Sequence, residues 1–300
     1  MLHGYIPPHR FLPYLSWTEI DALPDRENTV IVLPCGAIEQ HGPHLPCSVD
    51  SVISSGVMGK ALERLPAEVR AFALPTITYG KSEEHLHFPG TMTLTGTTLL
   101  STIVEVGESV YRSGFRKLLF ANGHGGQPQV LEMAARELRL RHGDFVIVPH
   151  GVSRLPSAAS KQVSEQEKKL AMHAGHSETA LMLALAPETV HMERAVANFP
   201  PPFPIKLLSA DGRPACAWTA RDFGPTGVIG DPTSATREQG EEILSTLADS
   251  WVQKPPGSAA STRATSSPRA VRLLLEARPH HHPAFPFPAL ICLTFPGALP

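Results

Sequence analysis

No stretch of the 300 residues approaches the ~18 unbroken apolar residues that a membrane-spanning helix requires, so no membrane span is expected. The four cysteines, Cys35, Cys47, Cys216 and Cys292, form no Cys-x-x-Cys pair, which removes zinc-knuckle and thioredoxin-type signatures. A chain of this length needs no disulfide framework, and the cysteines read as reduced thiols. A basic surplus is missing too: 26 Lys and Arg stand against 28 Asp and Glu, for a formal charge of −2. Nothing holds a phosphate backbone, so nucleic acid is not an expected partner. The first 14 residues are broken by prolines and contain no apolar h-region, so no signal peptide is expected and the expected compartment is the cytoplasm. What the chain does have is histidine, 15 in all; three form the run His280, His281 and His282, and most of the others stand beside carboxylates and glycines. With 42% hydrophobic and 18% charged residues, the composition suits a soluble globular body with a sizeable core.

Short β-branched or apolar runs at 28–34, 69–74, 117–121 and 144–148 read as buried strands. Helical spacing occupies 52–65, 97–112, a segment opening at Pro128, 177–185, and 236–251, where Thr236 and Gln239 have capping-box spacing. In the Pro128 helix, Val130, Leu131, Ala134 and Leu138 share one face. Strands alternating with helices predict an α/β fold, a three-layer α/β/α arrangement around a mainly parallel sheet. Ligands of such sheets gather beyond the carboxyl ends of the strands, where the two most polar loops, 39–50 and 122–126, are expected. Past Lys254 the composition turns to Pro, Ser and Ala, then to Pro, His and apolar residues without a period. The expected organisation is one domain over 1–253 and a disordered or loosely attached tail over 254–300.

Three segments can carry chemistry. In Glu39-Gln-His-Gly-Pro-His-Leu-Pro-Cys-Ser-Val-Asp50, Glu39, His41 and Asp50 are O and N ligands suited to Zn²⁺, Mn²⁺ or Fe²⁺. Glu39 and His41, two apart, point the same way in extended chain. Asn122-Gly-His-Gly-Gly126 ends a strand, and its glycines permit a tight turn that projects His124 into the crevice. It lacks a P-loop lysine and dinucleotide spacing. In His173-Ala-Gly-His-Ser-Glu-Thr179, Glu178 opens a helix, where the dipole favours an anion. Each segment alone also reads as an ordinary polar loop; three in one α/β body argue for a site. The loop 80–90 adds Glu84, His85 and His87, which read either as lining a substrate pocket or as a solvated loop packed by Phe88. His44 reads as a support for ligands rather than a ligand.

Taken in order, Glu-Gln-His-Gly-Pro-His-Leu-Pro…Asp, Asn-Gly-His-Gly-Gly and His-Ala-Gly-x-x-Glu-Thr resemble the creatininase family over nearly the whole body and none of the tail. The resemblance implies an amidohydrolase with two divalent metal ions (Zn, Mn or Fe) and a small-molecule amide as substrate. Glu39, Asp50 and His124 would hold one ion and His41, Asp50 and Glu178 the other, with Asp50 as the bridge. Water between the ions would become hydroxide near neutral pH and attack the amide carbonyl. His173 matches the family histidine beside the substrate and would transfer protons. Gly125 and Gly126 would line the substrate site with His85. A homo-oligomer, a hexamer or smaller even-numbered assembly, is implied as well. Two departures stand out: creatininases proper carry Glu where this chain has Gly126, and their creatinine-enclosing tryptophans have no match between Val152 and His173. Creatinine is therefore not the expected substrate. The Gly-Gly form resembles the branch containing formamide hydrolases and the mycofactocin-maturation peptidase, although that branch usually has Asn where this chain has Gln127. The expected substrate is a formamide or cyclic amide, with a short peptide as the alternative. A silent binding protein ranks lower, because the inferred catalytic positions are chemically intact. A phosphoesterase is disfavoured because the three motifs contain no Lys or Arg to clamp phosphate.

Overall fold

The computed structural model describes residues 1–200 and 216–252. The expected tail lies outside the described residues. Four strands, β1 (Val30–Cys35), β2 (Ala71–Ala73), β3 (Lys117–Asn122) and β4 (Val146–Gly151), form one wholly parallel sheet in the order β2-β1-β3-β4. The helices are α1 (Trp17–Asp21), α2 (Val49–Arg64), α3 (Gly96–Arg112), α4 (Pro128–Arg141), α5 (Ala159–Gln162), α6 (Glu165–Leu170), α7 (His176–Leu185) and α8 (Arg237–Val252).

Strand alternation sorts the core into two layers. Val30, Val32, Leu119 and Ala121 turn to one face, packed by α2, α7 and α8 through Val57, Leu181 and Trp251. Ile31, Leu33, Leu118 and Phe120 turn to the other, packed by α3 and α4 through Ile103, Leu131 and Leu138. Because both faces are covered, β1 and β3 read as continuous apolar runs rather than alternating ones. The three-layer α/β/α expectation is met, and the sheet is more uniformly parallel than expected. The predicted capping box is present: Thr236 Oγ1 accepts from the Gln239 N–H at 3.3 Å, and Gln239 Oε1 accepts from the Thr236 N–H at 2.9 Å. The sequence reading missed α1, α5 and α6. These are helices of 5, 4 and 6 residues, too short to show a hydrophobic period.

Chain connections leave β1 in one direction toward β2 and return past it to β3. The strand order therefore reverses between β1 and β3, and the carboxyl ends of these two strands open a crevice. The loop carrying Glu39 leaves β1 and the turn carrying His124 leaves β3.

α8 closes against α7 at Gly240, where a Cβ would lie within van der Waals overlap of the Ala180 carbonyl oxygen, 1.8 Å away. In a free helix Ala is favoured over Gly by about 1 kcal/mol. Here overpacking against backbone outweighs that preference. Gly240→Ala is predicted to destabilise the fold by about 1–3 kcal/mol, read as a lower urea midpoint at unchanged slope.

Candidate metal centre

Four chain segments meet at the β1–β3 crevice. Glu39 and His41 come from the loop after β1, Asp50 from the first turn of α2, His124 from the turn after β3, and His173 and Glu178 from the approach to α7 and its first turn. All but Glu178 are buried, and Glu178 is half-buried. Two local features force the approach. At Gly123 a Cβ would lie 2.3 Å from the Asp50 carbonyl oxygen, so only glycine lets the His124 turn press against α2. Ala174 sits in the left-handed region at φ 53°, and its N–H donates to Glu178 Oε2 at 2.6 Å. That backbone costs about 1–3 kcal/mol for a non-glycine residue and is retained between His173 and Glu178.

The imidazoles are oriented from outside the cluster. His41 Nδ1 donates to the Glu39 carbonyl (3.1 Å), His124 Nε2 to the Lys81 carbonyl (2.8 Å) and His173 Nε2 to the Gln40 carbonyl (2.6 Å). A carbonyl only accepts, so each bond assigns the hydrogen to that nitrogen. The opposite nitrogen of each ring turns inward, where it presents a lone pair whenever the ring is neutral. His124 Nδ1 stands 3.2 Å from both Glu39 Oε2 and Asp50 Oδ2. His41 Nε2 stands 3.4 Å from Asp50 Oδ1, and His173 Nδ1 stands 3.6 Å from Glu39 Oε1. These nitrogens and the acids must share either protons or a cation, and Asp50 turns its two oxygens to two different imidazoles.

His85 behaves differently. Its Nδ1 lies 2.9 Å from the Gln40 amide nitrogen, which also donates to the Gly227 carbonyl, while Gln40 Oε1 accepts from the Gly42 N–H. Nδ1 therefore accepts, and Nε2 carries the hydrogen toward Glu39 Oε1 at 3.4 Å. The ring is buried and stacks on His173 with centroids 4.3 Å apart. The structure brings His85 into the cluster as a support for Glu39. His44 stands outside it, 2.9 Å from the Thr179 hydroxyl. Gly125 faces open space, whereas the Cβ direction of Gly126 is filled by Glu84.

Electrostatics follow this arrangement. Burial pushes Glu39 up, but the charges on His124 and His41 override it and hold the carboxyl well below its usual range. Burial opposes charge on His124 and His41, yet the carboxylates win: Glu39 and Asp50 raise His124 well above normal, and Asp50 and Glu178 raise His41 to about 9. Burial and the His41 charge instead drive His173 well down, keeping it neutral. Glu178 is pushed up to about 7 by burial, a shift moderated by His41.

This donor set fits divalent cations. Glu39 Oε2, His41 Nε2 and Asp50 Oδ2 are buried without a hydrogen-bond partner, and such atoms are costly unless something else satisfies them. Ligand atoms of Glu39, His41 and Asp50 lie within 4.8 Å of one another, as do those of His41, His173 and Glu178. Those of Glu39, Glu84 and His124 do so too. Among the described residues the clusters group Glu178 with His41 and His173; Asp50 falls in the neighbouring group. Sequence reasoning missed Glu84 as a cluster member, because only the fold shows which acid of the 80–90 loop turns inward.

A model of the family described as creatininase, creatinine amidohydrolase, matches residues 13–254. The chain belongs to the creatininase family. Such membership makes it a hydrolase of carbon–nitrogen bonds. It is 35% identical over 240 residues to the mycofactocin precursor peptide peptidase of Mycobacterium tuberculosis, covering 76% of this chain and 87% of that one. Against the creatinine amidohydrolase of Pseudomonas putida it is 33% identical over 256 residues, covering 78% and 91%. A solved creatininase in its manganese form superposes with a TM-score of 0.62 at 29% identity, covering 80% and 95%. The fold and family expected from the three motifs are both borne out. Cys35, Cys47 and Cys216 are free thiols, as expected. No helix among the described residues is long and apolar enough to cross a membrane.

Burial, with the His41 charge, lowers His44 to about 4. Its folded value lies below the unfolded value near 6.5. Its contribution is therefore present above pH ~6.5 and lost as pH falls through about 4. His44→Gln is predicted to flatten the acid limb of stability between pH ~6.5 and 4 in urea titrations of metal-free protein.

Proposed function

We propose that this chain is a dinuclear metal-dependent hydrolase of an amide bond, with Asp50 shared between two divalent ions. The observation that carries the proposal is the pair of Asp50 oxygens, 3.2 Å from His124 Nδ1 and 3.4 Å from His41 Nε2. In this reading Glu39, Asp50 and His124 hold one ion, and His41, Asp50 and Glu178 hold the other. Such ions supply a reactive water at neutral pH and offset the negative charge that develops on the carbonyl oxygen. Nε2 of His173 is committed to the Gln40 carbonyl and its ring stays neutral. Its Nδ1 can therefore accept the nucleophile's proton and return it to the leaving nitrogen. His85 steadies Glu39 and stacks on His173, limiting ring motion during that transfer.

One observation bears on substrate size. A cleft of about 610 Å³ is lined by His173 and Glu178 together with Ser153, Arg154, Ser157 and Val163. That volume accommodates ligands of drug size, more than a formamide or a single small ring demands. The cleft, together with similarity to a precursor-peptide peptidase, supports a short peptide end over a formamide or cyclic amide. An even-numbered assembly remains part of the proposal. Tyr14 and Trp17, 48% and 78% exposed on the N-terminal arm, are suited to a subunit contact. Residues 1–253 form the catalytic domain in this reading, and a cytoplasmic location accompanies it.

Asp50→Ala is predicted to lose metal at both positions and abolish hydrolysis; near-normal metal content by elemental analysis would contradict the shared role. His173→Ala is predicted to keep its metal and lower turnover by about 10²–10⁴-fold on a panel of short peptides, formamides and cyclic amides. Full activity in that variant would remove His173 from the chemistry.

A further inference from the structure

Glu84 occupies the position that a side chain at residue 126 would take. A Cβ built on Gly126 lies 1.7 Å from Glu84 Oε1 and 2.6 Å from His124 Nε2. Glu84 reaches this space from the 3₁₀ turn Glu83–His85, and its side chain is only 11% exposed. Its Oε1 stands 3.6 Å from His124 Nε2, and its Oε2 stands 3.4 Å from Lys81 Nζ. Ligand atoms of Glu84, Glu39 and His124 fall within 4.8 Å of one another.

A gathering of acids alone would mean little, since such groups are common without an ion. Here the neighbouring Glu39 is 1% exposed, and its Oε2, turned toward His124, has no hydrogen-bond partner. The carboxyl end of Glu84 fills the space beside Gly126, so the two positions share one region of the centre. We propose that Glu84 is a further metal-binding carboxylate, delivered from the 80–90 loop past the Nε2 edge of His124 toward the ion that Glu39 holds, into the room that Gly126 leaves. Lys81 is the cation that balances this carboxylate when no metal ion does. The inference rests on the two-metal reading above.

The test is chelator competition with Mn²⁺ and Zn²⁺ on the full chain, comparing wild type, Glu84→Gln and the double variant Glu84→Gln/Gly126→Glu. Glutamine keeps the size and the acceptor oxygen but removes the charge, and far-UV circular dichroism checks that it folds. Wild type is expected to bind two ions. Glu84→Gln is expected to weaken one of them by about 10–100-fold, leaving the other unchanged. The double variant is expected to recover most of the loss, and Gly126→Glu alone is expected to be unstable because two acids then compete for one space. Two ions held by Glu84→Gln with wild-type affinity would overturn the assignment while leaving the two-metal reading intact. A wild type without stoichiometric metal would overturn both.

Discussion

Lone pairs aimed at carboxylate oxygens are the constraint around which this molecule is organised. His41, His124 and His173 each give one N–H to a backbone carbonyl and turn the other nitrogen toward an acid. The carboxylates they face are crowded as well, with ligand oxygens of Glu39 and Asp50 within 4.8 Å of one another, and two like charges about 4 Å apart repel by about 4 kcal/mol at an effective dielectric of 20. A few such pairs would consume most of the 5–15 kcal/mol by which folded domains are stable. Something positive must therefore stand among the acids. The protein alone can use protons, which is why His41 and His124 are pulled upward despite their burial. A pair of divalent cations answers the same demand with more charge and no need to protonate a ligand.

The fold makes this arrangement hard to escape. Strand order reverses between β1 and β3, so two polar loops share one crevice. α2 starts directly beneath it, placing Asp50 in a first turn where an anion is favoured. α7 does the same for Glu178. Gly123 closes the distance on one side, and the strained Ala174 fixes the approach on the other. None of these elements binds anything by itself. Each sets the direction from which one ligand atom arrives.

Much of this was legible beforehand. The β1 and β3 strands are unbroken apolar runs that end in polar loops, so their burial and the location of the crevice could be read directly. The residues of the three motifs stand in neighbouring clusters, because each follows a strand or opens a helix at the same edge of the sheet. Less accessible were contacts that depend on side-chain direction across distant segments. His85 looked like a pocket residue, yet the Gln40 amide fixes its tautomer and turns it toward Glu39. Glu83 and Glu84 are adjacent and chemically alike; only the 3₁₀ turn decides that Glu84 faces His124. The grouping of Glu178 with His41 and His173 likewise depends on the kinked entry into α7, which no periodicity announces.

The claim on which everything else depends is that one aspartate couples two cations. Electron paramagnetic resonance of the protein loaded with Mn²⁺ addresses it directly, since ions bridged by a common carboxylate are magnetically coupled. The account predicts an exchange-coupled pair spectrum that appears as the second equivalent is added. A spectrum of isolated Mn²⁺ that merely grows in proportion to added metal, or saturation at one ion per chain, would contradict it.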